Sequence, residues 1–124
     1  SISSHNLINA ELLNFLHNKV NSFIKWDLVR FFHDNPHTKD TVENVAKYVG
    51  RDTKTIQHEL NDLVKGNVLC TEEISGFTLY RLAQDTQIRQ TINPFIEACH
   101  DRQFRIEAIH HVIKEMQFSP RHDF

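Results

Sequence analysis

Residues 41–83 read TVENVAKYVGRDTKTIQHELNDLVKGNVLCTEEISGFTLYRLA, and the changes of hydrophobic period within them decide the fold. Val42, Val45, Ala46 and Val49 recur at helical spacing behind Thr41, whose side-chain oxygen suits an N-cap. Gly50 follows, with the backbone freedom that a tight exit requires. Asp52 then caps a second helix over about 53–65, in which Ile56, Leu60, Leu63 and Val64 form one apolar row, and Gly66 stands where a C-terminal glycine belongs. Two short helices joined by a few residues containing Gly make a helix-turn-helix. Beyond it the period shortens to two. Val68 to Ile74 and Phe77 to Leu82 read as strands, with Ser75–Gly76 between them as a hairpin turn.

Upstream, Ile8, Leu12, Phe15, Leu16 and Val20 predict a helix from Leu7 to Val20. Ser22 is a good N-cap for the run FIKWDLVRFFHD, which is apolar on more than one side and so belongs at the centre of the core. Downstream, Asn93–Pro94 predicts the start of a long last helix with Pro at its first position. Ile92, Cys99, Ile106 and Ile113 recur every seven residues there, with Phe95, Ile109 and Met116 beside them, a pattern that can serve as a pairing seam between two copies. These readings give one domain over 1–124: an N-terminal helix within 1–21, a core over 22–84, C-terminal helices over 85–118 and a frayed tail over 119–124.

The composition of the 124 residues is that of a globular chain, with 40% hydrophobic and 24% charged residues and few Gly or Pro. No apolar run approaches the roughly 18 residues of a membrane span, and SISSHNLINA lacks the pattern of a signal peptide. Cys70 and Cys99 form no CxxC pair and suit free thiols in a reducing compartment, which places the protein in the cytoplasm. No GxSxG, phosphate-binding glycine loop or HExxH is present, so the sequence offers no support for an enzyme. Formal charge is −2. A domain that held nucleic acid by charge alone would be basic, so net charge does not name a partner.

The order of elements resembles a winged helix-turn-helix domain, and residues 41–83 are similar to the core of arsenic-repressor-type (ArsR-like) and multiple-antibiotic-resistance-type (MarR-like) regulators. In those families a short helix, a Gly turn, a recognition helix ending "L…LV.G.V" and a β-hairpin wing follow one another. The resemblance implies a mainly α fold with a small β-hairpin, flanked by N- and C-terminal helices that serve dimerisation. It also implies a transcriptional regulator that binds double-stranded DNA as a homodimer. With Ile56, Leu60, Leu63 and Val64 buried, the roughly 100° step per residue puts Lys54, His58, Asn61 and Lys65 on the opposite face, flanked by Gln57. Lys can donate to guanine, Gln and Asn can pair with adenine, and Thr53 can serve phosphate or a thymine methyl. Thr53, Lys54, Gln57, His58, Asn61, Lys65 and, on the wing, Arg81 are therefore the candidate DNA-binding residues. Against this, residues 36–84 hold six Lys/Arg and seven Asp/Glu, and the wing carries Glu72 and Glu73 where phosphate contacts favour Lys or Arg. The alternative is a winged helix used for protein–protein contact or dimerisation.

ArsR-like metal sensors carry an intersubunit site with two His on their last helix. His100 and His111 are the corresponding candidates, on one face and about 16.5 Å apart along a continuous helix. Ala98 and Lys114 occupy the positions of the carboxylates such a site needs, and Glu97 and Glu115 are only their neighbours. Neither a metal nor another cofactor is expected, and the two His read as solvated surface.

Overall fold

The computed structural model describes residues 4–117, with side chains from residue 9 onward. Six helices and one hairpin form a winged helix-turn-helix fold: α1 (Ser4–Lys19), α2 (Phe23–Asp34), α3 (Val42–Val49), α4 (Thr53–Lys65), β1 (Leu69–Ile74), β2 (Phe77–Leu82), α5 (Thr86–Ala98) and α6 (Arg102–Gln117). The expected contribution of Ile8 to the core, and the tail over 119–124, lie outside the described residues.

Local chemistry explains most boundaries. Ser22, Thr41, Asp52 and Asp85 each accept a backbone N–H in the first turn of α2, α3, α4 and α5. Gly50 closes α3 at φ 71°, the left-handed conformation that glycine adopts without a Cβ penalty. α4 ends on Gly66 as its C-cap, as expected, with Gly66 at φ −82° and the left-handed turn taken one residue later by Asn67 at φ 63°. Asparagine tolerates that region better than other side chains, and the Val68 amide then returns to the Leu63 carbonyl at 3.0 Å. Ser75 and Gly76 both have positive φ (52° and 83°), the type I′ geometry that matches the twist of a two-residue hairpin. The strands pair from Leu69↔Leu82 to Ile74↔Phe77. Asp40 adds a backbone bridge to Tyr80 on the outer side of β2.

The core runs through α2, as its many-sided apolar pattern requires. Ile24, Leu28, Val29 and Phe32 are fully buried among Leu16, Val20, Val45, Ile56, Leu60, Leu63, Leu69 and Phe95.

The C-terminal segment departs from the expected single helix. Asp85 caps α5 eight residues before the predicted start, so Pro94 falls inside α5 rather than at its first position. The chain turns at Cys99–Asp101, where Asp101 accepts from the Phe104 amide at 2.9 Å and opens α6. The seven-residue repeat therefore spans two helices and does not form one seam. On α6 the inward row is Phe104, Ala108, Val112 and Met116, spaced by four, and it packs on α1 of the same chain. Ile106 and Ile113 remain 40% and 37% exposed. The break also separates His100 from the helix of His111, which removes the continuous-helix geometry that relates them.

Candidate nucleic-acid interface

α4 is amphipathic in the expected sense. Ile56, Leu60 and Leu63 are buried, Val64 is half-buried, and Thr53, Lys54, His58, Asn61 and Lys65 are exposed. Lys54 and Lys65 form no ion pair among the described residues, so their charges are available to an external anion. His58 lies 3.5 Å from Asp62.

Two polar assemblies fix how α4 sits. Beneath it, Lys25 of α2 is buried against Glu59, 3.0 Å from its carboxylate, with side-chain exposures of 4% and 2%. Lys25 also reaches Asp62 at 3.1 Å and Asn21 at 2.8 Å, and the Ser22 hydroxyl lies 3.4 Å from Glu59 Oε1. α2 and α4 are thus joined through a desolvated ion pair. At its side, Gln57 Nε2 donates to the Tyr80 hydroxyl at 2.6 Å, and Tyr80 donates in turn to Asn61 Oδ1 at 2.9 Å. Gln57 Nε2 lies 3.3 Å from the same Asn61 oxygen. Two of the candidate base-reading residues are therefore tied to β2 of the wing.

On the wing, Arg81 is half-buried and bonded to Glu72 at 3.0 Å, while Lys39 approaches the other Glu72 oxygen at 2.9 Å. Hydrogen bonds from Lys39 and Arg81 hold the Glu72 carboxyl below its ordinary pKa. Arg81 is consequently spent on Glu72, and a phosphate would have to compete for it. Glu73 accepts from the Thr78 hydroxyl at 2.7 Å. The hairpin tip carries two exposed apolar side chains, Ile74 and Phe77, the latter 61% exposed.

Before α3, Asp40 gathers the Thr41 amide at 2.8 Å, Asn44 at 2.8 Å and the Tyr48 hydroxyl at 3.1 Å. Burial pushes its carboxyl up, but these hydrogen bonds outweigh burial and leave its pKa below 3.8. The Tyr48 phenol is raised in return, chiefly by its hydrogen bond to that carboxylate.

The structure thus brings Thr53, Lys54, Gln57, His58, Asn61 and Lys65 onto one helix and sets Arg81 apart, in a cluster with Lys39 and Glu72. Sequence reasoning missed Tyr80, Lys39, Asp40 and the Lys25–Glu59 pair. Tyr80 was discoverable from strand alternation, which puts it on the same side of β2 as the buried Leu82. Among the described residues no cluster of three His, Cys, Asp or Glu could hold a metal ion, and no helix is long and apolar enough to cross a membrane. The Cys99 thiol is half-buried beside Trp26, and burial pushes its pKa up to about 11.

Comparison with solved structures finds a likeness of fold. A solved structure named a possible transcriptional regulator, from Methanosarcina mazei Go1, superposes with a TM-score of 0.51 at 17% identity, over 77% of this chain and 83% of that one. No family model matches the chain, and no curated protein matches it.

Proposed function

We propose that the chain is a sequence-specific, double-stranded-DNA-binding transcriptional regulator of ArsR-like or MarR-like type, without enzymatic activity, acting as a cytoplasmic homodimer. The observation that carries this reading is the outward face of α4: Thr53, Lys54, His58, Asn61 and Lys65 exposed together on the second helix of a winged helix-turn-helix. In such motifs that helix lies in the major groove, with its N-terminal residues on base edges. Lys54 and Lys65, which form no ion pair among the described residues, would meet phosphate or guanine. The likeness to a possible transcriptional regulator supports the same direction. Ile106 and Ile113, left outward on α6, support pairing of two copies there.

A second reading, a winged helix that binds protein, is favoured by the wing itself. Its tip is apolar, and its one basic residue, Arg81, is paired with Glu72, as is Lys39 from the segment before α3. Selection from a random duplex library separates the two. The regulator reading expects half-sites about one helical turn, roughly 34 Å, apart. A correctly folded dimer that enriches no sequence, and whose weak binding vanishes at physiological salt, would leave the protein-binding reading in its place.

A further inference from the structure

We propose that the Tyr80 hydroxyl is a specificity-determining positioning group, which sets the amides of Gln57 and Asn61 so that the two together read a single adenine. The proposal rests on the DNA-binding reading of α4 and names the base that its centre recognises.

The argument is an inventory of donors and acceptors. Gln57 Nε2 has two hydrogens, and the distances spend them on Tyr80 (2.6 Å) and Asn61 Oδ1 (3.3 Å). Tyr80 has one, spent on the same Asn61 oxygen at 2.9 Å. The three groups close a ring. What remains is the Gln57 Oε1 acceptor and the Asn61 Nδ2 donors, none of them hydrogen-bonded among the described residues. Turning one amide over sets donor against donor or acceptor against acceptor, so neither turns alone. Turning both together exchanges their roles and again leaves one acceptor beside one donor.

Neither amide can then make the two-bond contact to adenine by itself, because each has already used one of its two ends. Jointly they can. One accepts from the adenine N6 amine and the other donates to N7. Guanine offers acceptors at both O6 and N7, which sets the remaining amide oxygen against O6. Thymine has no donor on its major-groove edge, and cytosine has no acceptor beside its amine. The ring is anchored by Tyr80 rather than by α4. That side chain is 4% exposed, and its backbone exchanges hydrogen bonds of 2.7 and 3.2 Å with Asp40. Across the hairpin it pairs with Thr71.

The test compares the wild-type chain of 124 residues, Tyr80→Phe and Asn61→Ala, using duplexes selected from a random library and then single-base variants of the selected site. Wild type should favour A·T over G·C by about tenfold at one position in each half-site. Tyr80→Phe removes one buried oxygen and keeps the ring in its place. It should reduce that preference to within about twofold, while affinity for random duplex and its salt dependence stay unchanged. Gln57→Leu, which removes one of the two reading amides and its bond to Tyr80, should also abolish that preference. In an Asn61→Ala background, Tyr80→Phe should alter base preference no further, because it acts through the missing amide. An unchanged A·T preference in Tyr80→Phe, an additive loss in the double variant, or a wild-type preference for G·C at that position overturns the proposal alone. A wild type with no sequence preference overturns the DNA-binding reading as well.

Discussion

Replacing Lys25 by Met should unfold more of the protein than any surface change, and the geometry says by how much. Glu59 has Lys25 as its cation at 3.0 Å, with only a long contact to Ser22 besides, and its side chain is 2% exposed. Lys25→Met leaves that carboxylate buried without a counter-charge, a loss worth about 3–5 kcal/mol. Glu59→Gln is milder, about 1–3 kcal/mol, because it leaves no carboxylate buried and Lys25 keeps Asp62 at 3.1 Å and Asn21 at 2.8 Å. The double replacement Lys25→Met/Glu59→Met removes both charges and fills the same volume. It should return to within about 1 kcal/mol of wild type, since apolar pairs often match a buried ion pair. Against a total stability of about 5–15 kcal/mol, the single change is readily measured. Urea unfolding at 25 °C, with midpoints compared at equal slope, supplies the numbers. A Lys25→Met variant within about 1 kcal/mol of wild type, or a double variant no better than the single, would refute the reasoning.

Four further outcomes are expected. Light scattering should give about twice the 14.6 kDa chain mass, and Ile106→Lys/Ile113→Lys should halve it; a wild-type monomer at every concentration would remove the dimer. Glu72→Gln should release Lys39 and Arg81, tightening binding to any duplex and steepening the salt dependence by about one to two phosphate contacts; unchanged binding would mean that neither cation reaches the backbone. The folded pKa of Asp40 lies below its unfolded value, so its contribution is full above pH of about 4 and disappears as the pH falls through the folded value. Urea midpoints for wild type and Asp40→Asn should accordingly converge on acidification; a constant gap would contradict this. Finally, with its pKa pushed up to about 11, the Cys99 thiol should resist alkylation at pH 7 in the folded protein and react once unfolded, whereas rapid native labelling would contradict its burial.

The parts of the fold that were legible before any coordinates are those carried by local chemistry. Thr41, Gly50, Asp52 and Ser75–Gly76 each dictate a cap or turn through their own side chain or backbone, and the elements over 41–82 follow from them. The C-terminal region was misread because Pro94 looks like a helix start. The stronger signal, Asp85 with Ile88, Ile92 and Phe95 in period, begins within a polar stretch. Of the candidate interface, the exposed face of α4 was legible from periodicity alone. Its constraints were not. Glu59 lies three residues from Ile56 and four from Leu63, on the buried side, and that position demands a cation without naming Lys25, 34 residues earlier in the chain. The partnership of Arg81 with Glu72, and that of Tyr80 with Gln57 and Asn61, depend on strand register and on how the hairpin leans toward α4, which no single segment encodes.

The packing of α6 on α1 has a consequence for how the chain is made. Leu12, Phe15 and Leu16 leave the ribosome well before part of their cover, since Phe104, Ala108, Val112 and Met116 are encoded about a hundred residues later. At a synthesis rate of about 5–20 residues per second, the apolar side of α1 waits on the order of 5–20 s for its partner. During that interval the helix-turn-helix and hairpin can already close on their own short-range contacts. The nascent protein would therefore carry a closed helix-turn-helix and hairpin before α1 has a place to settle, with the apolar side of α1 left in water for that interval.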